Sequence, residues 1–326
     1  MLGLGLLPEF AGSGIFFAVK TYIGNLLLWL ALAGSGVMAT AIWRDRRPRD
    51  EAPLIARTGL PEDPTVVVVL TAYNEALSIG DVVEDFLSQP HVERVLVVDN
   101  NCTDDTALVA ARAGATVVQE SRQGYGFACM RGLREALRYQ TDAVLLAEGD
   151  GTFIGRDVAK LLPYLDDADM VLGNRITPGL VDRNSQMDTF FVWGNQVGGK
   201  MIQLRFWEWR FWGRTRLSDL GCTMRALRTD ALEAIIDDLK VGGDHFSVHM
   251  IMMALRRGLL TVEVPITFWP RVGVSKGASQ SLSKGTIVGL SMLWHIVTFP
   301  SKPVLPQYSP TVALEQEQDE VLEKAA

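Results

Sequence analysis

Glu148 and Asp150 stand two residues apart where the apolar run 144–147 ends, in the stretch VLLAEGDGTF. Such a run reads as a buried strand, and two acids at its tip face whatever binds beyond the end of the sheet. Carboxylates at this spacing can converge on a hard divalent cation, one directly and one through water. Mg2+ or Mn2+ bridging a diphosphate asks for few protein ligands. The competing reading is a β-turn in which Asp150 and its flanking glycines have ordinary turn roles.

Three other apolar runs end in polar stretches, TAYNE (71–75), DNNCTDD (99–105) and ESRQGYG (120–126). One polar end would be a capped turn. Four in series point to a shared pocket, because an open α/β sheet binds ligands at the carboxyl ends of its strands. Asn74 and Glu75 can equally start a helix. Thr103, Asp104 and Asp105 supply an N-cap and first-turn acids, which leaves Asp99 at the strand tip available to a nucleotide. Gly124 and Gly126 provide turn backbone and leave amides accessible to a phosphate.

The elements that must carry these tips alternate. Strands are expected at 65–70, 94–99, 115–120, 143–148 and 169–174, and helices at 75–89, 104–113, 127–139 and 156–165. Runs such as TVVVVL suit strands covered on both faces. The alternation predicts an α/β fold, a Rossmann-like, mostly parallel, doubly wound sheet. The second half is less regular, with helices expected at 229–238 and 247–257 and a strand at 260–268.

Flanking segments point to a membrane. No charge occurs from Thr21 to Trp43, and at about 1.5 Å per residue this run can cross a hydrocarbon core of about 30 Å. A buried core helix is the alternative, disfavoured because the run is uniformly apolar rather than striped. Arg44, Arg46, Arg47 and Arg49 follow it, so the positive-inside rule keeps the next domain cytoplasmic. The expected organisation is an anchor at 1–43, a linker at 44–63 and a folded domain at 64–280. After it come an apolar helix at 281–300, interfacial or transmembrane, and an acidic tail at 301–326. The stretch RFWEWRFWG (205–213) sets Trp207, Trp209 and Trp212 among arginines, as a bilayer interface favours; an aromatic core helix is the alternative. A net charge of −7 gives no reason to expect nucleic acid. Three widely spaced cysteines form neither a disulfide framework nor a zinc pattern.

The ordered set TAYNEA, VLVVDNNCTDDT, RQGYGFACMRGL, LLAEGDGTF, VLGNR, DLGCTMRAL and VEVPITFWPRVGVSK resembles family-2 glycosyltransferases of the GT-A fold. More narrowly it is similar to their polyprenyl-phosphate branch, which includes dolichol-phosphate mannose synthase. The resemblance spans roughly residues 64–278, and it is the complete set in this order that is specific. It implies that Ala72, Asn74, Glu75 and Asp99 hold the nucleobase and ribose, and that Glu148 and Asp150 hold the metal on the donor diphosphate. Thr152 stands where Gln is frequent, and Glu148 where Asp is usual; the longer Glu suits a water-mediated contact or weaker metal binding. The resemblance also implies site roles for Arg175, Asp219 and Arg225. The closing R-x-G-x-S-K motif is present as Arg271, Gly273, Ser275 and Lys276, with Arg225, Arg271, Ser275 and Lys276 candidates for an acceptor phosphate.

The implied activity is metal-dependent, inverting transfer of a sugar from a nucleotide-diphosphate donor to a polyprenyl phosphate lipid, with Mg2+ or Mn2+ as cofactor. Asp150, Arg175 and Asp219 are the catalytic candidates. Asp244 joins them as a base if the acceptor is instead a hydroxyl, of a glycerate-type molecule or a lipid alcohol. His245 and His249, four apart, share one helix face. Some GT-A enzymes complete their metal site with a His, so either is a candidate to join Asp150; the alternative is packing against the next strand. A nucleotidyltransferase is disfavoured because TAYNEA lacks a glycine- and basic-rich phosphate loop. A non-catalytic membrane scaffold is the remaining reading, motivated by Glu148.

Overall fold

The computed structural model describes Gly36 and residues 59–185, 187, 189–206, 215–273 and 282–300. The chain divides between Pro48 and Arg49, and every described residue except Gly36 lies in the second unit. Apart from Gly36, the expected anchor at 1–43 lies outside the described residues, as do most of the linker, the tryptophans of 205–213 and the acidic tail.

Seven strands make one sheet among the described residues: β1 (Val66–Ala72), β2 (Val92–Asp99), β3 (Thr116–Gln119), β4 (Ala143–Glu148), β5 (Met170–Asn174), β6 (Arg225–Arg228) and β7 (Thr261–Pro265). Their order is β3-β2-β1-β4-β6-β5-β7. All pairings are parallel except those of β6, which runs antiparallel to both β4 and β5. The fold is α/β and mostly parallel, as the alternation leads one to expect.

Side-chain direction alternates along each strand, and the two faces bury separate cores. Val66, Val68 and Leu70 point to one face with α1 (Ile79–Leu87) and the helical turns after β4. Val67 and Val69 point to the other, with α3 (Tyr125–Ala136), α6 (Thr229–Ile236) and α7 (Phe246–Arg256). Between β2 and β3 lies α2 (Thr106–Arg112). The helix expected at 156–165 is broken: α4 (Val158–Leu161) is flanked by 3-10 turns at Gly155–Asp157 and Leu162–Asp166. Pro163 in the second turn has no N–H with which to continue an α ladder.

Strand β6 is the element the sequence pattern does not announce. Being antiparallel, it starts where β4 and β5 end: Arg225 pairs with Leu146 on one side and Leu172 on the other. The segment preceding it therefore lies at the same rim as the polar strand tips. Helix α5 (Thr189–Arg205) occupies the excursion between β5 and β6 and packs against α8 (Leu282–Thr298). Among the described residues no helix is long and apolar enough to cross a membrane. At seventeen residues, α8 spans about 25 Å. It buries Ile296 and leaves Ile287, Leu290 and Trp294 exposed.

Candidate active site

The four polar tips are neighbours in space, because β3, β2, β1 and β4 are consecutive in the sheet. Ala72 is paired with Asp99, Thr71 with Glu148, and Asp99 with Gln119. Asp99 and Glu148 thus flank β1 at almost one height, about 10 Å apart by strand spacing.

Each tip is tied to the next by hydrogen bonds. Asn74, in the left-handed region at φ 56°, accepts the Thr103 N–H at 2.6 Å through Oδ1. Asp99 accepts the Cys102 N–H (2.7 Å) and the Gln119 Nε2–H (2.8 Å). The Glu75 N–H donates to Thr106 Oγ1 at 2.8 Å, and the Ser78 hydroxyl donates to the Gly149 carbonyl at 2.8 Å. The rim is a set of mutually braced loops.

Asp150 is 3% exposed. Its Oδ1 accepts the Thr152 N–H (3.0 Å) and hydroxyl (2.6 Å), while Oδ2 pairs with Arg271 Nη1 at 3.1 Å. Arg271 also grips the Glu75 carboxylate through Nη2. What brings Arg271 there is backbone: Trp269 N–H donates to the Thr152 carbonyl (2.9 Å) and Val272 N–H to that of Asp150 (3.1 Å). The 269–272 segment is laid along the 150–152 turn. Gly151, at φ +81°, permits that turn, and Val272 lies against it.

Burial, and then the charge of Asp150, push the Glu148 carboxyl up to about 8; Arg271 and Arg175 oppose the shift. Two acids whose joint ionisation is this unfavourable call for a cation, and Arg271 already serves Asp150 and Glu75 as one. Hard oxygen donors short of positive charge fit Mg2+ or Mn2+. Among the described residues no three His, Cys, Asp or Glu side chains converge on one point. Glu148 and Asp150 would therefore hold a cation whose remaining ligands come from diphosphate and water.

The second cation of the rim is Arg175, directly after β5. Asp219 binds it in a fork, Nε to Oδ2 and Nη2 to Oδ1, both at 2.9 Å, and also accepts its backbone N–H at 2.9 Å. Burial works against the charge, but pairing with Asp219 outweighs it and raises the pKa further. Phe268 lies under the guanidinium, 5.0 Å from ring centre to Cζ. Arg175 acts on Glu148 electrostatically, as Arg271 does, so two guanidinium groups offset its negative charge.

Residues 67–236 match the sequence profile of glycosyl transferase family 2. The chain belongs to glycosyl transferase family 2. An uncharacterized glycosyltransferase of Mycobacterium tuberculosis is 32% identical over 234 residues, 72% of this chain and 98% of that protein. The polyprenol monophosphomannose synthase of Mycolicibacterium smegmatis is 27% identical over 241 residues, 69% of this chain and 88% of that protein. Among solved structures, glucosyl-3-phosphoglycerate synthase from Mycobacterium tuberculosis, in complex with Mn2+, UDP and phosphoglyceric acid, superposes with a TM-score of 0.53. It is 18% identical, and the match covers 73% of this chain and 80% of that one. At that identity the likeness speaks for the fold.

In this glycosyltransferase several expected residues sit elsewhere than their motifs suggest. Gly124 and Gly126 do not offer free amides to a phosphate: Gly124 N–H donates to Asn100 Oδ1 (2.9 Å) and Gly126 N–H to the Gly242 carbonyl (3.0 Å). A Cβ at Gly126 would lie 2.1 Å from the Val241 carbonyl oxygen, so these glycines let the 241–242 backbone cross the start of α3. Arg225, expected at an acceptor phosphate, is 0% exposed. Its guanidinium donates to the carbonyls of Cys222 (2.5 Å), Thr223 (3.4 Å) and Ser247 (3.1 Å), and it braces the sheet. Asp244 is exposed, next to His245 before α7.

The histidines do not join Asp150. His249 Nδ1 lies 3.1 Å from His295 Nε2 on α8, and His249 Nε2 lies 3.3 Å from the Asp238 carbonyl. The His245 and His295 rings stack edge-on with centres 5.0 Å apart. Since a carbonyl only accepts, His249 carries its proton on Nε2, and His295 Nε2–H donates to the bare Nδ1. This cluster is a helix–helix contact. Ser275 and Lys276 lie outside the described residues. Sequence reasoning missed His295, and it missed Asn174, Ser218 and Glu263, which surround the Asp219 loop. The acid interrupting V-E-V-P in β7 was the available signal.

Proposed function

We propose that this glycosyltransferase moves a hexosyl group from a nucleotide-diphosphate sugar to the phosphate of a polyprenyl lipid, inverting the anomeric carbon. The observation that carries the reading is the acid pair Glu148 and Asp150, with Arg271 paired to Asp150 and both Arg271 and Arg175 acting on Glu148 electrostatically, a charge pattern that suits a diphosphate with its cation and a second phosphate. The likeness to a polyprenol monophosphomannose synthase supports the acceptor.

Ala72, Asn74, Glu75 and Asp99 receive the nucleoside on the rim. Glu148 and Asp150 would hold Mg2+ or Mn2+, which would offset the charge growing on the departing diphosphate. Arg175 supplies a fixed guanidinium to the same charge. An acceptor phosphate oxygen arrives ionised and attacks C1 without a side-chain base. The C1–O bond to the diphosphate breaks, and its electron pair leaves with the diphosphate. Arg271, released from Asp150, is then free to pair with a phosphate.

Attachment to the membrane belongs to the same proposal: residues 21–43 anchor the chain, the basic cluster after them keeps the enzyme cytoplasmic, and the exposed face of α8 lies at the interface. A hydroxyl acceptor is the second reading, favoured by the exposed carboxylate of Asp244. The test is a panel of radiolabelled nucleotide sugars with membranes, polyprenyl phosphate and Mn2+, followed by chromatography. Label in an acid-labile lipid phosphate ester is expected; label only on glycerate-type or alcohol acceptors overturns the lipid-phosphate reading.

A further inference from the structure

Glu263 sits in β7, the edge strand, and its carboxylate collects four hydrogen bonds from the rim. Oε1 accepts the N–H of Ser218 (2.8 Å) and of Asp219 (3.0 Å). Oε2 accepts the Ser218 hydroxyl (2.5 Å) and Asn174 Nδ2–H (2.9 Å). The second hydrogen of Asn174 Nδ2 goes to Ser218 Oγ (2.7 Å), and Asn174 Oδ1 accepts the Ile176 N–H (3.0 Å). Every group facing Glu263 is a donor, so the arrangement requires an ionised, acceptor-only side chain. What it holds are the two neighbours of the Arg175 fork: Asn174, the residue before Arg175, and the backbone of Asp219, whose carboxylate binds that arginine at three atoms.

We infer that Glu263 is a positioning residue for the transfer reaction: it docks the 218–219 loop on the tip of β5 so that Asp219 aims the Arg175 guanidinium into the site. This rests on the reading above, in which Arg175 meets the diphosphate or the acceptor phosphate. Glu263 itself touches no substrate. Its effect comes from alignment, and a displacement of about 1 Å at a catalytic cation costs up to about 100-fold in rate. A glutamine keeps the shape but turns an NH2 toward donors, so at least one partner must retreat.

The experiment compares Glu263→Gln, Arg175→Lys and the double variant in full-length protein. It uses the donor and acceptor that the panel identifies, UDP with Mn2+ as a binding probe, and hydrogen exchange at the 218 and 219 amides. Glu263→Gln is expected to lower turnover by about 10- to 100-fold, leave UDP binding within about twofold, and speed exchange at both amides. In the Arg175→Lys background it should add almost nothing, because it acts through Arg175. Losses that multiply in the double variant, or unchanged exchange at 218 and 219, overturn the inference. Should Arg175→Lys retain full turnover, the role given to Arg175 fails on its own, and the amide exchange still decides what Glu263 holds. If Glu263→Gln does not fold, Ser218→Ala, which removes one donor, carries the same test with a smaller expected loss.

Discussion

Two clusters of ionisable side chains among the described residues are built on opposite rules. At the rim, Glu75, Glu148, Asp150 and Asp219 meet Arg271 and Arg175, so charges of both signs interlock. Between α7 and α8, His245, His249 and His295 meet one another and the ring of Phe299. Charged groups nearby are Asp238, held by Arg257, with Lys240, Asp244 and Arg256 around the edge. Burial comes first in lowering all three imidazole pKa values; His245 lowers His249 further, and both lower His295. Spacing in the sequence put residues on a common face in both places. What faces them decides whether the face binds a cation or packs as a neutral contact.

Four substitutions and one titration test this contrast. The largest effect is expected from Asp150→Asn, which should lower turnover by on the order of 100- to 1,000-fold; chelation should abolish activity, with Mn2+ restoring it in the parent enzyme. Undiminished activity would remove the rim from the chemistry. Next, Arg271→Met takes away the guanidinium that Asp150 and Glu75 share. In metal-free protein it should cost about 3 kcal/mol in urea unfolding, and Mn2+ should narrow the gap by taking over part of its role.

Gly126→Ala should cost roughly 2 kcal/mol by overpacking against Val241 and Gly242, while the folded protein keeps its affinity for the donor nucleotide. A loss of nucleotide binding without loss of stability would return that glycine to the phosphate. Glu148 provides the titration. With its pKa raised to about 8 from 4.5, the folded state holds a proton that the unfolded chain releases, so metal-free stability falls as pH rises through that window. Cation binding at pH 7 should release about one proton, read by calorimetry in two buffers of different ionisation heat, and the release should vanish above about pH 9.

The smallest effect is at His295, pushed down to about 4 from 6.5 by burial and then by His249 and His245. Here the unfolded chain binds more protons, so stability falls as pH drops from 6.5 toward 4. Partial exposure limits the change to about 1 kcal/mol. His295→Gln should flatten this acid limb in thermal melts and leave transfer at pH 7.5 unchanged.

The alternating half of the fold was legible because long β-branched runs and amphipathic segments carry their periods openly. The polar rim was legible for a related reason: an apolar run ending in acids exposes a conflict that only a ligand or a cation relieves. Arg225 and the two glycines misled because an arginine or a GxG beside a site reads alike whether it meets a phosphate or a carbonyl. Strand β6 escaped notice since RALR is four residues long with a charge at each end. His295 stands 46 residues from its partner His249, beyond any local pattern. Glu263 was invisible as a site residue because its partners, at 174 and 218–219, are joined to it only by sheet order.

That sheet order has an evolutionary consequence. The chain leaves the sheet after Asn174 and re-enters at Arg225, on two strands that are neighbours, so the fifty residues between form an exchangeable cassette. Its middle can be lengthened or shortened without changing a rung between β4, β6 and β5, provided Arg175, the Asp219 loop and the core side chains Ile202, Phe206, Leu217 and Leu220 remain. The scaffold can therefore vary in one insert while the parallel β3-β2-β1-β4 half of the sheet stays untouched.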